Sequence, residues 1–98
     1  MSAYVLVEVE VRDPEVYAEY RPLAAESLAK HGGRYLVRGG TTEVLEGEWF
    51  PRVVVLEFDN LEAAHAWYHS NEYQAAVALR HESAKSRMIA VEGVGTPA

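Results

Sequence analysis

The chain contains no cysteine. That excludes disulfides, thiol nucleophiles and thiolate metal centres, and makes a reducing, cytoplasmic setting the expectation. Long apolar runs are missing too: stretches such as Val53 to Leu56 are far too short to cross a bilayer. Positive charge is scarce, with nine Lys and Arg against fifteen Asp and Glu, a net charge of -6, and the basic residues scattered along the chain. Such a surface repels phosphate backbones and anionic headgroups, so neither nucleic acid nor membrane is an expected partner. Neither a nucleotide-binding glycine loop nor a nucleophile elbow is present, which argues against phosphoryl transfer and acyl-enzyme chemistry.

What remains is an ordinary globular composition, 49% hydrophobic and 24% charged over 98 residues. That is enough for one domain with a modest core. The expectation is a single domain over 1–98, ordered from about 3 to 94, with a flexible tail over 95–98. A strand pattern begins almost at Met1, so no signal or transit peptide is expected.

Tyr4 to Val11 alternates, with Val5, Val7, Val9 and Val11 on one face and Tyr4, Leu6, Glu8 and Glu10 on the other. Asp13-Pro14-Glu15 opens a helix with a capping Asp, Pro in the first turn and an early acid. Pro22 is expected to kink that helix near Tyr20-Arg21, and Gly32 to end it in a left-handed cap. A second strand should run from Arg34 to about Leu45, with a bulge at Gly39-Gly40 and a tight turn at Glu46 to Trp49. The third, Arg52 to Phe58, is nearly all apolar and reads as a central strand covered on both faces. Asp59-Asn60-Leu61-Glu62 opens a second helix and Ser70 caps a third, from Asn71 to about Ser83. Arg87 to Glu92 makes the last strand.

The order is β-α-β-β-α-β, an α+β sandwich on an antiparallel sheet. Helices on one face leave the other bare, carrying Leu6, Leu36, Met88 or their neighbours. A second copy of the chain is the simplest cover, so a homodimer is expected.

Tyr20, the stretch from His31 to Gly40, Glu46-Gly47, Glu57-Phe58, the segment Ala66 to Tyr73, and Leu79-Arg80 resemble the domain of unknown function 1330 family. The likeness spans nearly the whole chain; His69, before the Ser cap, is a small departure from the pattern. The resemblance implies a ferredoxin-like protomer, a dimeric α/β barrel, and a cleft between sheet and helices. It brings no established reaction. The wider superfamily includes cofactor-free oxygenases, isomerases, haem-degrading enzymes and ligand-sensing modules, and a shared fold does not choose among them.

Three groups of residues could carry chemistry. With a tight turn at Gly47-Glu48, Arg38 lies opposite Glu57. This pair could receive a substrate carboxylate or enolate, with Glu57 as base, or could simply tie two strands together. His31, at the end of the first helix, is either a base with a suitable pKa or a partner for the helix dipole. Tyr20, Trp67, Tyr68 and Tyr73 gather around the Ser70 turn as core or as the wall of a partly wet pocket, and Arg80 could add a second positive group. His65 and His69 have metal-chelating spacing, but the third ligand would have to be His81 or a carboxylate, and no metal is expected.

The functional expectation is therefore a small dimer binding an organic anion in the cleft, an aromatic one being compatible with its walls. His31, Arg38 and Glu57 are the catalytic candidates, and Tyr20, Trp67, Tyr68, Ser70, Tyr73 and Arg80 the binding candidates. No cofactor is expected. The alternatives are a cofactor-independent oxygenase or isomerase, and a non-catalytic sensing or scaffolding dimer.

Overall fold

The computed structural model describes residues 1–95. Most of the tail expected over 95–98 lies outside the described residues. The elements run β1 (Ala3–Val11), α1 (Pro14–Lys30), β2 (Arg34–Arg38), β3 (Arg52–Phe58), α2 (Leu61–Tyr68), α3 (Asn71–Ser83) and β4 (Ala84–Glu92). The strands form one antiparallel sheet in the order β2-β3-β1-β4, with the helices packed on one face. Among the described residues no helix is long and apolar enough to cross a membrane.

Local chemistry sets the helix boundaries. The Asp13 carboxylate accepts from the Val16 N–H at 3.2 Å, Asn60 accepts from Ala63 at 2.7 Å, and the Ser70 hydroxyl accepts from Tyr73 at 3.1 Å. Each satisfies an N–H that the first turn leaves without a partner. At the other end of α1, Gly32 takes φ +72° and the Gly33 N–H returns to the Leu28 carbonyl at 3.0 Å. That is a glycine-terminated cap, as the sequence predicts. Helix α1 continues through Pro22, so the proline does not end it.

Val5, Val7 and Val9 of β1 pack beneath Tyr17, Tyr20, Ala24 and Leu28 of α1, joined by Leu56, Phe58, Trp67 and Tyr73. Trp67 and Tyr73 stack with ring centroids 4.1 Å apart, and the indole N–H donates to the Ser27 hydroxyl at 3.1 Å. Burying side chains of this size contributes roughly 1.5–3 kcal/mol each.

Several expectations fail for identifiable reasons. Strand β2 stops at Arg38 rather than Leu45, and no tight hairpin forms at Glu46 to Trp49. Pro51 has no N–H to offer a ladder, so β3 starts after it and positions 39–51 form a long connection. The bulge lies between Tyr35 and Val37, not at Gly39-Gly40. Strand β3 is central, but only its helix-side residues Leu56 and Phe58 are buried. Met88 pairs with Val7 and follows it to the inner face, since cross-strand partners share a face. Ile89 takes the outer position instead. Strand β4 also begins earlier, at Ala84.

The bare face is real. Val37, Val55, Leu6 and Ile89 are successive cross-strand partners, and the two at its ends are exposed. Two ion pairs flank this apolar row. Arg34 meets Glu57 at 2.7 Å, and Arg87 meets Glu8 at 2.9 Å. Glu8 also accepts from the Phe50 N–H at 3.0 Å, and that bond, ahead of Arg87, holds its carboxyl below the usual carboxylate range. The 39–51 connection is thereby tied to the open face.

Candidate functional site

A cavity of about 40 Å³ lies between α1 and the inner face of the sheet. Its floor centres on the cross-strand row Arg38-Val54-Val7-Met88, running from edge strand β2 to edge strand β4, with Tyr35 and Leu56 on one side of it and Arg52 and Val9 on the other. Tyr17, Tyr20, Ala24 and Leu28 of α1 roof it, and Trp67 and Arg80 close the β4 side.

The bulge explains how Arg38 reaches this space. Tyr35 pairs with inward-facing Leu56, and strict alternation would then send position 38 outward. The extra residue, Leu36, shifts the phase, so Val37 pairs with outward Val55 and Arg38 with inward Val54. Gly39 continues the effect. Its φ is +69°, and a β-carbon there would collide with the guanidinium of Arg52. Arg52 is thus seated against bare backbone.

Four arginines line the cavity, Arg21, Arg38, Arg52 and Arg80, and no carboxylate does. The remaining three, Arg12, Arg34 and Arg87, each pair with a glutamate. Among the described residues none of the cavity arginines has an acidic partner. In a chain of net charge -6, this is a local concentration of uncompensated positive charge.

Arg80 is the extreme case, only 3% exposed. It donates to the Tyr73 hydroxyl at 2.7 Å and lies 3.3 Å from the His81 ring nitrogen Nε2, while its Nε has no partner among the described residues. Arg52 Nε is orphaned in the same way. A buried cation without a counter-ion costs several kcal/mol, so the fold holds a charge that an incoming anion would compensate. The outer guanidinium groups rest on aromatic faces: Arg38 lies 4.3 Å from the Tyr35 ring centroid and Arg52 5.7 Å from that of Tyr17. Such contacts orient an arginine without neutralising it.

The Tyr73 hydroxyl sits 2.8 Å from that of Tyr20. Burial pushes both phenols above their ordinary range, and Tyr20 adds to the effect on Tyr73. Burial raises Tyr35 as well. All three are therefore neutral donors around neutral pH. Arg80, the Tyr73 hydroxyl and the Tyr20 hydroxyl thus form one hydrogen-bonded chain that ends at the cavity.

Of the residues singled out from the sequence, Tyr20, Arg38, Trp67 and Arg80 line the cavity, and Tyr73 stands one hydrogen bond behind. Tyr68 is half-buried with its ring 5.7 Å from Tyr73, in the groove between α2 and β4. Ser70 caps α3 and donates to the Trp67 carbonyl at 2.7 Å. His31 is not at the cavity: it caps α1, with Nε2 3.2 Å from Glu72. The expected Arg38–Glu57 pairing does not form, because the long 39–51 connection replaces the tight turn and Arg34 stands opposite Glu57. Glu57 occupies the opposite face of the sheet. The His65 and His69 rings lie 4.3 Å apart, and no cluster of three or more metal-ligating side chains forms among the described residues.

Sequence reasoning missed Arg21, Arg52, Tyr17 and Tyr35. For Arg52 a signal existed: positions 52, 54, 56 and 58 share one phase of β3, so an arginine there is a charge on the core side of a strand. Arg21 lies one residue from Tyr20 and four from Tyr17, close to the helix face they occupy.

A model of the family described as a domain of unknown function (DUF1330) matches residues 2–94. No curated protein matches the sequence. Among solved structures, the chain is similar to a protein of unknown function from Rhodopseudomonas palustris, with TM-score 0.74 and 23% identity over 95% of this chain and 82% of that one. A dimeric ferredoxin-like protein of unknown function from Jannaschia sp. CCS1 gives TM-score 0.68 and 17% identity over 95% and 100%. SnoaB, a cofactor-independent oxygenase from Streptomyces nogalater, gives 0.65 and 10% over 97% and 95%. At these identities the likeness is one of fold, and the fold is ferredoxin-like.

Proposed function

The chain belongs to the DUF1330 family, and from that premise we propose that it is a homodimeric binding protein for a small organic anion. The anion enters between α1 and the inner face of the sheet and is held by the guanidinium groups of Arg80, Arg38 and Arg52 and the hydroxyl of Tyr20. The observation that carries this reading is Arg80, a buried cation with an orphaned Nε and no acidic partner among the described residues, in a cavity that gathers three more unpaired arginines. Charge-assisted donors that are already in place bind a carboxylate with little reorganisation. The bare face, with its central row of Val37, Val55, Leu6 and Ile89, is the surface for the second copy, and the Jannaschia protein is described as dimeric.

Binding without turnover fits the lining better than proton abstraction. His31 and Glu57, the bases expected from the sequence, stand outside the cavity, and the phenols of Tyr20 and Tyr73 are held protonated. A general base must reach the proton it removes. The small volume, about 40 Å³, also favours a slender anion over an aromatic one.

Melting curves in low-salt buffer test this directly, with butyrate, benzoate and the neutral butyramide as probes. Butyrate should raise the melting temperature saturably, on the order of 10 °C at a hundredfold excess over its dissociation constant. Benzoate should act more weakly and butyramide not at all. Equal shifts for butyrate and butyramide, or a linear response that tracks ionic strength alone, would remove the anion site.

A further inference from the structure

We infer that the ligand is a slender dianion, an unbranched aliphatic dicarboxylate lying along the cavity floor with one carboxylate on Arg80 and the other on Arg38 and Arg52. This rests on the anion-binding reading and adds to it the number and spacing of the charges. The unpaired cations are not in one cluster. Arg80 lies at the β4 end, with Nη1 3.9 Å from the Met88 sulfur. Arg38 and Arg52 project from β2 and β3, and Arg21 joins them from α1.

Met88 and Arg38 are the two ends of a single cross-strand row. Three strand spacings separate their backbones, about 14 Å at roughly 4.8 Å per step. Within that row only Val7 and Val54 lie between them, and Val9 and Leu56 beside them are apolar too. The slot is therefore charged at both ends and apolar in the middle.

Its size points the same way. The space is about 40 Å³, well under the roughly 150 Å³ of a cavity that takes a benzene ring, so only one end of the ligand would be enclosed. The two ends also differ in burial. Arg80 is 3% exposed, while Arg38 is open to solvent. One carboxylate would be fully desolvated against Arg80 and Tyr20, and the other would remain at the mouth. A single-headed acid would leave either the buried cation or the outer pair uncompensated.

Calorimetric titration of the full chain with succinate, adipate and suberate, beside hexanoate as the single-headed match for adipate, tests the assignment. The best dicarboxylate of the series should bind about tenfold or more tighter than hexanoate. In Arg38→Met/Arg52→Met that advantage should vanish while hexanoate binding persists. Dicarboxylates no tighter than hexanoate in the wild-type chain would overturn the two-headed assignment and leave the anion site standing. No binding of any acid, hexanoate included, would overturn both, and the wild-type comparison holds whether or not the double variant folds.

Discussion

Arg80→Met should abolish anion-dependent stabilisation while leaving the ligand-free protein as stable as before, or more stable. Two effects oppose each other. The substitution removes the 2.7 Å hydrogen bond to Tyr73, a contact whose loss costs on the order of 1 kcal/mol. It also removes a buried charge with no acidic partner among the described residues, and replacing buried ionic groups with apolar ones of similar volume is neutral or stabilising by roughly 1–4 kcal/mol. Tyr73 keeps Tyr20 as a partner at 2.8 Å, so no phenol is orphaned. The charge effect should win. An arginine acting as a strut would give the reverse: a melting temperature lowered by several degrees and an unchanged response to butyrate. Paired melting curves with and without butyrate separate the two.

Ile89→Glu should break the assembly. Ile89 is 60% exposed in the protomer and stands at the end of the row it shares with Leu6, Val55 and Val37. If two copies cover these faces, the substitution places a carboxylate from each inside one apolar seam. Without a partner, each would cost several kcal/mol. Sedimentation at micromolar concentration should show dimer for the wild type and monomer for the variant, with a lower melting temperature because the apolar row then meets water. A variant that stays dimeric and melts unchanged would show that this face is not the seam.

Much of the fold is visible in particular residues. Asp13-Pro14, Asn60 and Ser70 each offer a side-chain oxygen where a helix needs one, and Gly32 sits where only a residue free of a β-carbon adopts φ +72° cheaply. The alternation of Val5, Val7 and Val9 marks the buried phase of β1 without reference to anything distant. The site was harder to see because it depends on phase. One extra residue at Leu36 decides whether Arg38 faces the cavity or the open side, and nothing local in Tyr35-Leu36-Val37 announces a bulge. The same shift, together with the absence of a tight turn, moved Glu57 from Arg38 to Arg34. Tyr20, Trp67, Tyr73 and Arg80 were found because helical spacing brings chemistry-bearing residues together without help from strand register.

If the unpaired arginines between α1 and the sheet form an anion site, a small anion should find it. Crystals soaked in bromide test it most directly, since the ion is small enough for the cavity and its anomalous signal identifies it. A bromide peak is expected inside the cavity, within hydrogen-bonding reach of Arg80 Nε. Bromide found only on the outer surface, with the cavity empty or filled by a carboxylate side chain of the protein itself, would contradict the anion site.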